Sequence, residues 1–252
     1  YGFLVDKDTR EETAVLSCID VTTGLASSCV VPTKGLADYP IAVLRRFILE
    51  CGRTQGVLQT DQEPALRALA RGLASYTGLS VRQSPAYSHE SQGSVERYHG
   101  TLWQQVRTLR EAVRVNYDHE IKAGDAMATW MVKHATWLYN RYLVHSDGKT
   151  SYERWWNHHY NKDICEFAET LLYKPARSDL PKSESDWHYG VWLGKCTQSD
   201  EHYIGTKDGV IRTRNIRRLP MSEWYQKDYL LAVTGTPWQP TGPVSYTHLR
   251  AH

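Results

Sequence analysis

The chain has 252 residues, 41% hydrophobic and 23% charged, with a formal net charge of +2. That is the balance of a globular protein, one large domain or a core with a small module, and it excludes a low-complexity or disordered chain. No apolar run reaches the roughly 18 residues a membrane-spanning helix needs, and a charge this small neither demands nor excludes a nucleic-acid partner.

In chain order, residues 1–5 (YGFLV) read as an extended apolar run, preceded by no initiator Met and no signal peptide, which suggests a fragment of a longer polyprotein. Residues 6–12 form a charged turn. Residues 13–21 and 26–32 read as strands around the Thr22-Thr23-Gly24 turn, giving an antiparallel meander. A helix over 38–50 carries Ile41, Leu44, Ile48 and Cys51 on one face, with Gly52 just past its end. Val57–Asp61 (VLQTD) is a short apolar strand ending in a carboxylate. A helix follows from about Glu63 to Tyr76, with Pro64 in its first turn, where the missing N–H has no helical partner. Residues 79–83 are a fifth strand, and Ser84-Pro85 opens a polar loop. From Val95 the apolar residues fall at Val95, Tyr98, Leu102, Val106, Leu109 and Val113, a helical spacing. Glu96 sits one step off that stripe, at its rim. The order β-β-β-α-β-α-β-α is the ribonuclease H-like order.

A further helix over 124–142 has Met127, Trp130, Met131, His134, Trp137 and Leu138 as a core stripe. Residues 174–186 read as a Pro/Ser/charge-rich linker. Short β runs follow at 189–193, 201–206 and 210–214, with Lys207-Asp208-Gly209 as a hairpin turn. The tail, Pro/Gly/Thr-rich from Thr234, is expected to be disordered, and Ser245–His252 looks like a translated adaptor artefact. The expected domains are a core over 1–115, a helical extension over 116–173, a β-module over 187–220 and a tail over 221–252. Cys18, Cys29, Cys51, Cys165 and Cys196 are widely spaced with no Cys-x-x-Cys pair, which argues for a reducing compartment and against structural zinc.

A single Asp after a strand and a single Glu on a helix are usually solvated or capping. Here they come with two longer strings. Ser91-Gln92-Gly93-Ser94-Val95-Glu96-Arg97 resembles the S-(Q/N)-G-x-V-E-R signature of the retroviral and retrotransposon integrase core. Asp61-Gln62-Glu63-Pro64-Ala65 resembles that family's second catalytic Asp and the helix after it. Between Asp61 and Glu96 lie 34 residues, one fewer than the family's D-D-35-E pattern, which a deletion at the Thr77–Gly78 turn would explain. Asp147–Glu153 (DGKTSYE), Phe167-Ala168-Glu169 and the β runs after residue 187 look like the copia-type retrotransposon branch, with Ala168 where Gly is usual. The resemblance covers about residues 1–220.

The resemblance implies an α/β fold: a ribonuclease H-like core with a mixed five-stranded sheet flanked by helices, and a small C-terminal antiparallel β-module. It implies a DDE polynucleotidyl transferase that joins element ends to target DNA by in-line phosphoryl transfer, using Mg2+ or Mn2+ held by Asp61 and Glu96. It also implies DNA as partner, a homo-oligomer when active, no membrane and action in the nucleus. The first catalytic Asp is either Asp6 or a residue upstream of Tyr1. In the second case Gly2 and Leu4 share its face, Tyr1, Phe3 and Val5 pack beneath the sheet, and Asp6 is exposed in the turn. Asp20, on the second strand, is not the catalytic Asp. Tyr87, His89, Gln92 and Arg97 are expected to meet element DNA. Gly100 and Trp103 stand where the family often has lysines. Arg212, Arg214, Arg217 and Arg218 form the densest basic cluster and are candidates for phosphate contact. The alternatives are an inactive or domesticated DNA-binding remnant, or another DDE transposase or ribonuclease H-like nuclease.

Overall fold

The structure, a computed structural model, describes residues 1–6, 10–84, 93–175 and 186–241. It is mixed α/β and divides into two compact units, residues 1–107 with 138–161, and 108–137 with 162–252. The first unit begins with the strands β1 (Gly2–Val5), β2 (Glu12–Ile19) and β3 (Ala26–Val30), then α1 (Asp38–Glu50), β4 (Val57–Thr60), α2 (Pro64–Thr77), β5 (Ser80–Gln83) and the first turns of α3 (Gly93–Tyr117). This is the element order expected from the sequence. β1, β2 and β3 pair antiparallel, and β4 pairs parallel with β5, with α2 as the crossover. Strands of both ladders pack on one apolar cluster: Leu16, Cys29, Val31, Leu44, Ile48, Leu69, Leu73 and Leu79, with Tyr1 and Leu58 against it.

Strand alternation sorts the two faces of the meander. Leu16 and Cys29 are register partners on the face covered by α1 and α2, while Ser17 and Ser28, one residue on, face α3. Gly2 lies on that second face, where a Cβ would stand 2.6 Å from the Trp103 ring of α3. Only glycine lets strand and helix approach this closely. Leu4 is buried and Tyr1 packs on the α1/α2 cluster, but Phe3 and Val5 are 39% and 45% exposed instead of packing beneath the sheet. The cluster reaches Tyr1 at the start of β1 and does not extend to them.

Helix ends follow local chemistry. Pro64 opens α2, and Gly78 closes it at φ 72°, donating its N–H to the Ala74 carbonyl. The short α5 (Ser151–Trp156), which the sequence reading leaves unassigned, starts with a reciprocal Thr150/Glu153 capping box. α4 (Ala126–Tyr142) ends in the first unit, where the Asn140 amide both donates to and accepts from the backbone of Ala26, satisfying the free edge of β3.

In the second unit, β6 (Thr170–Lys174), β7 (His188–Lys195), β8 (His202–Thr206), β9 (Gly209–Thr213) and β10 (Asn215–Arg218) form one antiparallel sheet in the order β10-β6-β7-β8-β9. The stretch read as an interdomain linker therefore joins two paired strands, β6 and β7. The module is not confined to 187–220, because a strand preceding that stretch is hydrogen-bonded inside it. Trp192, Ile204, Leu171 and Cys165 make its core. Residues 221–241, expected to be a disordered tail, carry a 3-10 turn at Met221–Glu223 and α6 (Lys227–Leu231). Leu230 and Val233 are buried, and the Trp130 indole donates to the Gly235 carbonyl. Those few apolar side chains hold the segment against the unit despite its polar composition. The stripe Met127, Trp130, Met131, His134 and Trp137 is buried as expected.

Candidate active site

Asp61 follows the C-terminal end of β4, where a parallel pair opens and side chains meet solvent. Its loop is tied to the end of β5. The Ser84 N–H donates to the Thr60 carbonyl at 2.9 Å, the Gln59 amide to the Ser84 hydroxyl at 3.0 Å, and the Gln62 amide to the Ser84 carbonyl at 3.3 Å. The Asp61 carboxylate accepts the N–H of Gln62 at 2.6 Å and is exposed. Glu96 lies in the first turn of α3 and is also exposed. Negative charge there is favoured by the unpaired N–H groups of the helix start. Among the described residues neither carboxylate forms an ion pair, and no three His, Cys, Asp or Glu side chains converge to hold a metal.

The start of β1 ties these elements together electrostatically. Burial lowers the pKa of the Tyr1 amino group, and Glu63 and Asp61 are the acids acting on it. Burial likewise lowers the pKa of the His99 imidazole, on which the same amino group and Glu96 act with opposite signs. Asp61 thus acts electrostatically on the start of β1, and Glu96 on His99. Asp6 stands past the other end, five residues or roughly 16 Å along an extended strand. It is 8% exposed, which corrects the expectation of an exposed turn residue. Its N–H donates to the Glu11 carbonyl, and its own carbonyl accepts the N–H of Arg10.

Asp20 belongs to a different construction. Its carboxylate takes two hydrogen bonds from Arg53, at 3.1 and 2.9 Å, and two from Thr23, which hold its pKa below the usual carboxylate range against the effect of burial. A carboxylate with its lone pairs so engaged is a turn lock.

His99 was missed by the sequence reading. Its Nε2 is sealed from solvent with no hydrogen-bond partner among the described residues. The signal was present: Glu96, His99 and Trp103 are spaced i, i+3, i+7, one helical stripe, and Trp103 lies on Gly2 of β1.

Of the expected DNA contacts, Tyr87, His89 and Gln92 lie outside the described residues. Arg97 is exposed on α3, reaching the Ser94 hydroxyl only at 3.5 Å. The four C-terminal arginines do not act as one cluster. Arg212 on β9 lies beside the Cys196 thiol, and Arg214 is 3.4 Å from Glu201. On β10, Arg217 stacks over Trp187 at 4.7 Å, while Arg218 takes both oxygens of Glu169 at 2.7 and 2.8 Å and lies over Trp224 at 4.1 Å. Adjacent strand residues point to opposite faces, and β9 and β10 are the two ends of the strand order, so proximity in sequence does not make a patch. Arg218 in particular is a structural partner of Glu169, which is 0% exposed.

No known protein family matches the chain, and no curated protein does. Among solved structures it is similar to the catalytic core domain of BIV integrase, at 19% identity and TM-score 0.42 over 62% of this chain and 91% of that one. It is also similar to a chain of the simian T-cell lymphotropic virus intasome in complex with the PP2A regulatory subunit B56 gamma, at 15% identity and TM-score 0.47 over 87% and 77%. The HTLV-2 integrase catalytic core domain in complex with magnesium matches at 15% identity and TM-score 0.45, over 61% of this chain and 92% of that one.

Proposed function

We propose that this chain carries the catalytic core of a retrotransposon integrase of the copia type, a polynucleotidyl transferase that joins element DNA to target DNA in the nucleus, as a homo-oligomer. The observation that supports the reading is the placement of two exposed carboxylates, Asp61 just past the end of β4 and Glu96 in the first turn of α3, far apart in sequence. Mg2+ or Mn2+ suits the donors: two exposed carboxylates that form no ion pair among the described residues, and Mg2+ is commonly bound through one or two carboxylates while keeping several waters. When bound, such an ion supplies charge stabilisation for in-line displacement at phosphorus.

The chain's own residues do the rest. Asp61 and Glu96 offer hard oxygen ligands from rigid elements. The Ser84 contacts hold the Asp61 loop, and Gly2 against Trp103 sets the distance between β1 and α3. Exposed Arg97 is close enough in sequence to Glu96 to meet a DNA phosphate beside it. Asp6, at the far end of β1 from Tyr1, is not a ligand in this reading.

A second reading, a DNA-binding remnant without catalysis, is favoured by one observation: no three metal-ligating side chains converge among the described residues. Titrating Mn2+ into the chain, followed by electron paramagnetic resonance, separates the two. Saturable binding lost in Asp61→Asn and in Glu96→Gln, with Tm unchanged because both side chains are exposed, supports the catalytic reading. Binding that persists in both variants refutes it.

A further inference from the structure

A directional contact ties the first turns of α3 to the meander. The Tyr98 hydroxyl hydrogen-bonds the Ser28 hydroxyl of β3 at 2.6 Å, and Ser28 in turn hydrogen-bonds Ser17 of β2 at 2.7 Å. Tyr98 is 1% exposed and Ser28 is buried, so both hydroxyls lie out of reach of bulk water. An unmatched hydroxyl there would cost about 1–3 kcal/mol. The Tyr98 ring meets Tyr139 edge-on, with centroids 4.7 Å apart. The next residue, Asn140, is bonded to Ala26, two positions before Ser28 on the same strand. Apolar contacts from Leu102 and Val106 fix how close α3 lies to its neighbours, but such packing is non-directional and tolerates rotation about the helix axis. The O–H···O contact does not.

Rotation matters because Glu96 precedes Tyr98 by two residues. A side-chain atom on a helix stands about 5–6 Å from the axis, so turning the helix by about 10° carries it roughly 1 Å. A ligating constellation must be held within about 0.5 Å. A contact that fixes the azimuth of this turn therefore decides whether Glu96 meets its partner.

We propose that Tyr98 is a positioning residue: through its hydroxyl bond to Ser28 it sets the rotation of α3 that aims Glu96 at the cation site shared with Asp61. This rests on the catalytic reading above. The sequence marks Tyr98 only as one of six apolar-stripe positions, since the role belongs to its single polar atom.

The test is Mn2+ titration of the full chain by electron paramagnetic resonance, with Tm measured in parallel. Tyr98→Phe removes one oxygen, and Ser28→Ala removes its partner. Each should weaken Mn2+ binding about tenfold, the effect of losing a group that orients a metal ligand. The double variant should weaken it no further than Ser28→Ala, because both changes break the Tyr98–Ser28 bond and the Ser17 bond also lost in Ser28→Ala lies within the sheet. Ser151→Ala removes another buried hydroxyl of the same unit, bonded to His145 at 2.8 Å, and should leave Mn2+ binding unchanged whatever it does to Tm. Asp61→Asn and Glu96→Gln mark the site itself. If these two abolish binding while Tyr98→Phe and Ser28→Ala do not alter it, the inference fails and the site stands. If neither marker abolishes binding, the catalytic reading fails first. Equal weakening by Ser151→Ala reduces the effect to general destabilisation and also overturns the inference.

Discussion

Replacing Arg218 by Ala should be the most damaging single change among the four C-terminal arginines, and for a reason unrelated to DNA. Arg218 gives both its Nε–H and an Nη–H to the carboxylate of Glu169, which has no exposure of its own and also accepts the N–H of Glu166 at 3.1 Å. Removing one partner of a buried pair costs about 3–5 kcal/mol, because the remaining charge is left uncompensated. The Arg218 side chain is 41% exposed, so water reaches the vacated side and the lower end, about 3 kcal/mol, applies. At roughly 2–4 °C per kcal/mol for a chain of this size, Tm should fall by about 6–12 °C. Arg217→Ala loses only an exposed stack on Trp187, worth about 0.5–1 kcal/mol. Urea denaturation at pH 7 measures both. The double change Arg218→Met with Glu169→Gln removes the stranded charge while keeping an acceptor for Glu166, and should recover most of the loss. If Arg218→Ala unfolds within about 0.5 kcal/mol of Arg217→Ala, the pair is not structural and the reasoning fails.

Acid should destabilise the second unit through histidine. Burial lowers the pKa of His202 to about 4 and of His134 to about 3, so both fold neutral. The unfolded chain takes up their protons from about pH 6.5 downward, so stability is full above that pH and falls steadily toward pH 4. His134→Leu, which also deletes an Nδ1 with no partner among the described residues, should flatten that decline in urea melts across pH 4–7.5. In the first unit, Gly2→Ala puts a Cβ 2.6 Å from the Trp103 ring and should cost about 1–3 kcal/mol by overpacking, whereas Gly100→Ala, with open space at its Cβ, should not destabilise. Thermal melts of the two variants check this. In DNA binding measured well below Tm, replacing Arg212, Arg214 and Arg217 together by Ala should flatten the salt dependence while Arg218→Ala leaves it unchanged.

The sequence by itself determined the local elements of the first unit. Periodicity two or 3.6, Pro64 at a helix start and Gly52 past a helix end are written in adjacent residues, so strands and helices fall near their expected bounds. It also marked Asp61 and Glu96, because a strand end and a helix start can be read without knowing what they face. Pairing across distance was not legible. That β6 joins a sheet with β7 beyond a Pro/Ser-rich stretch depends on which edge an apolar strand finds, and composition made the stretch look like a boundary. The same limit hid the fate of the arginines: four basic residues within seven positions read as one patch, yet a buried Glu169, 49 residues before Arg218, claims one of them. Tertiary structure alone sets the electrostatic neighbours of the first strand. The sequence leaves both Asp6 and the Tyr1 end of the strand open as neighbours of Asp61, with the Tyr1 end expected to be the nearer. The chain direction of β1 brings Tyr1 into the field of Asp61, and a strand that rises about 3.3 Å per residue cannot bring both.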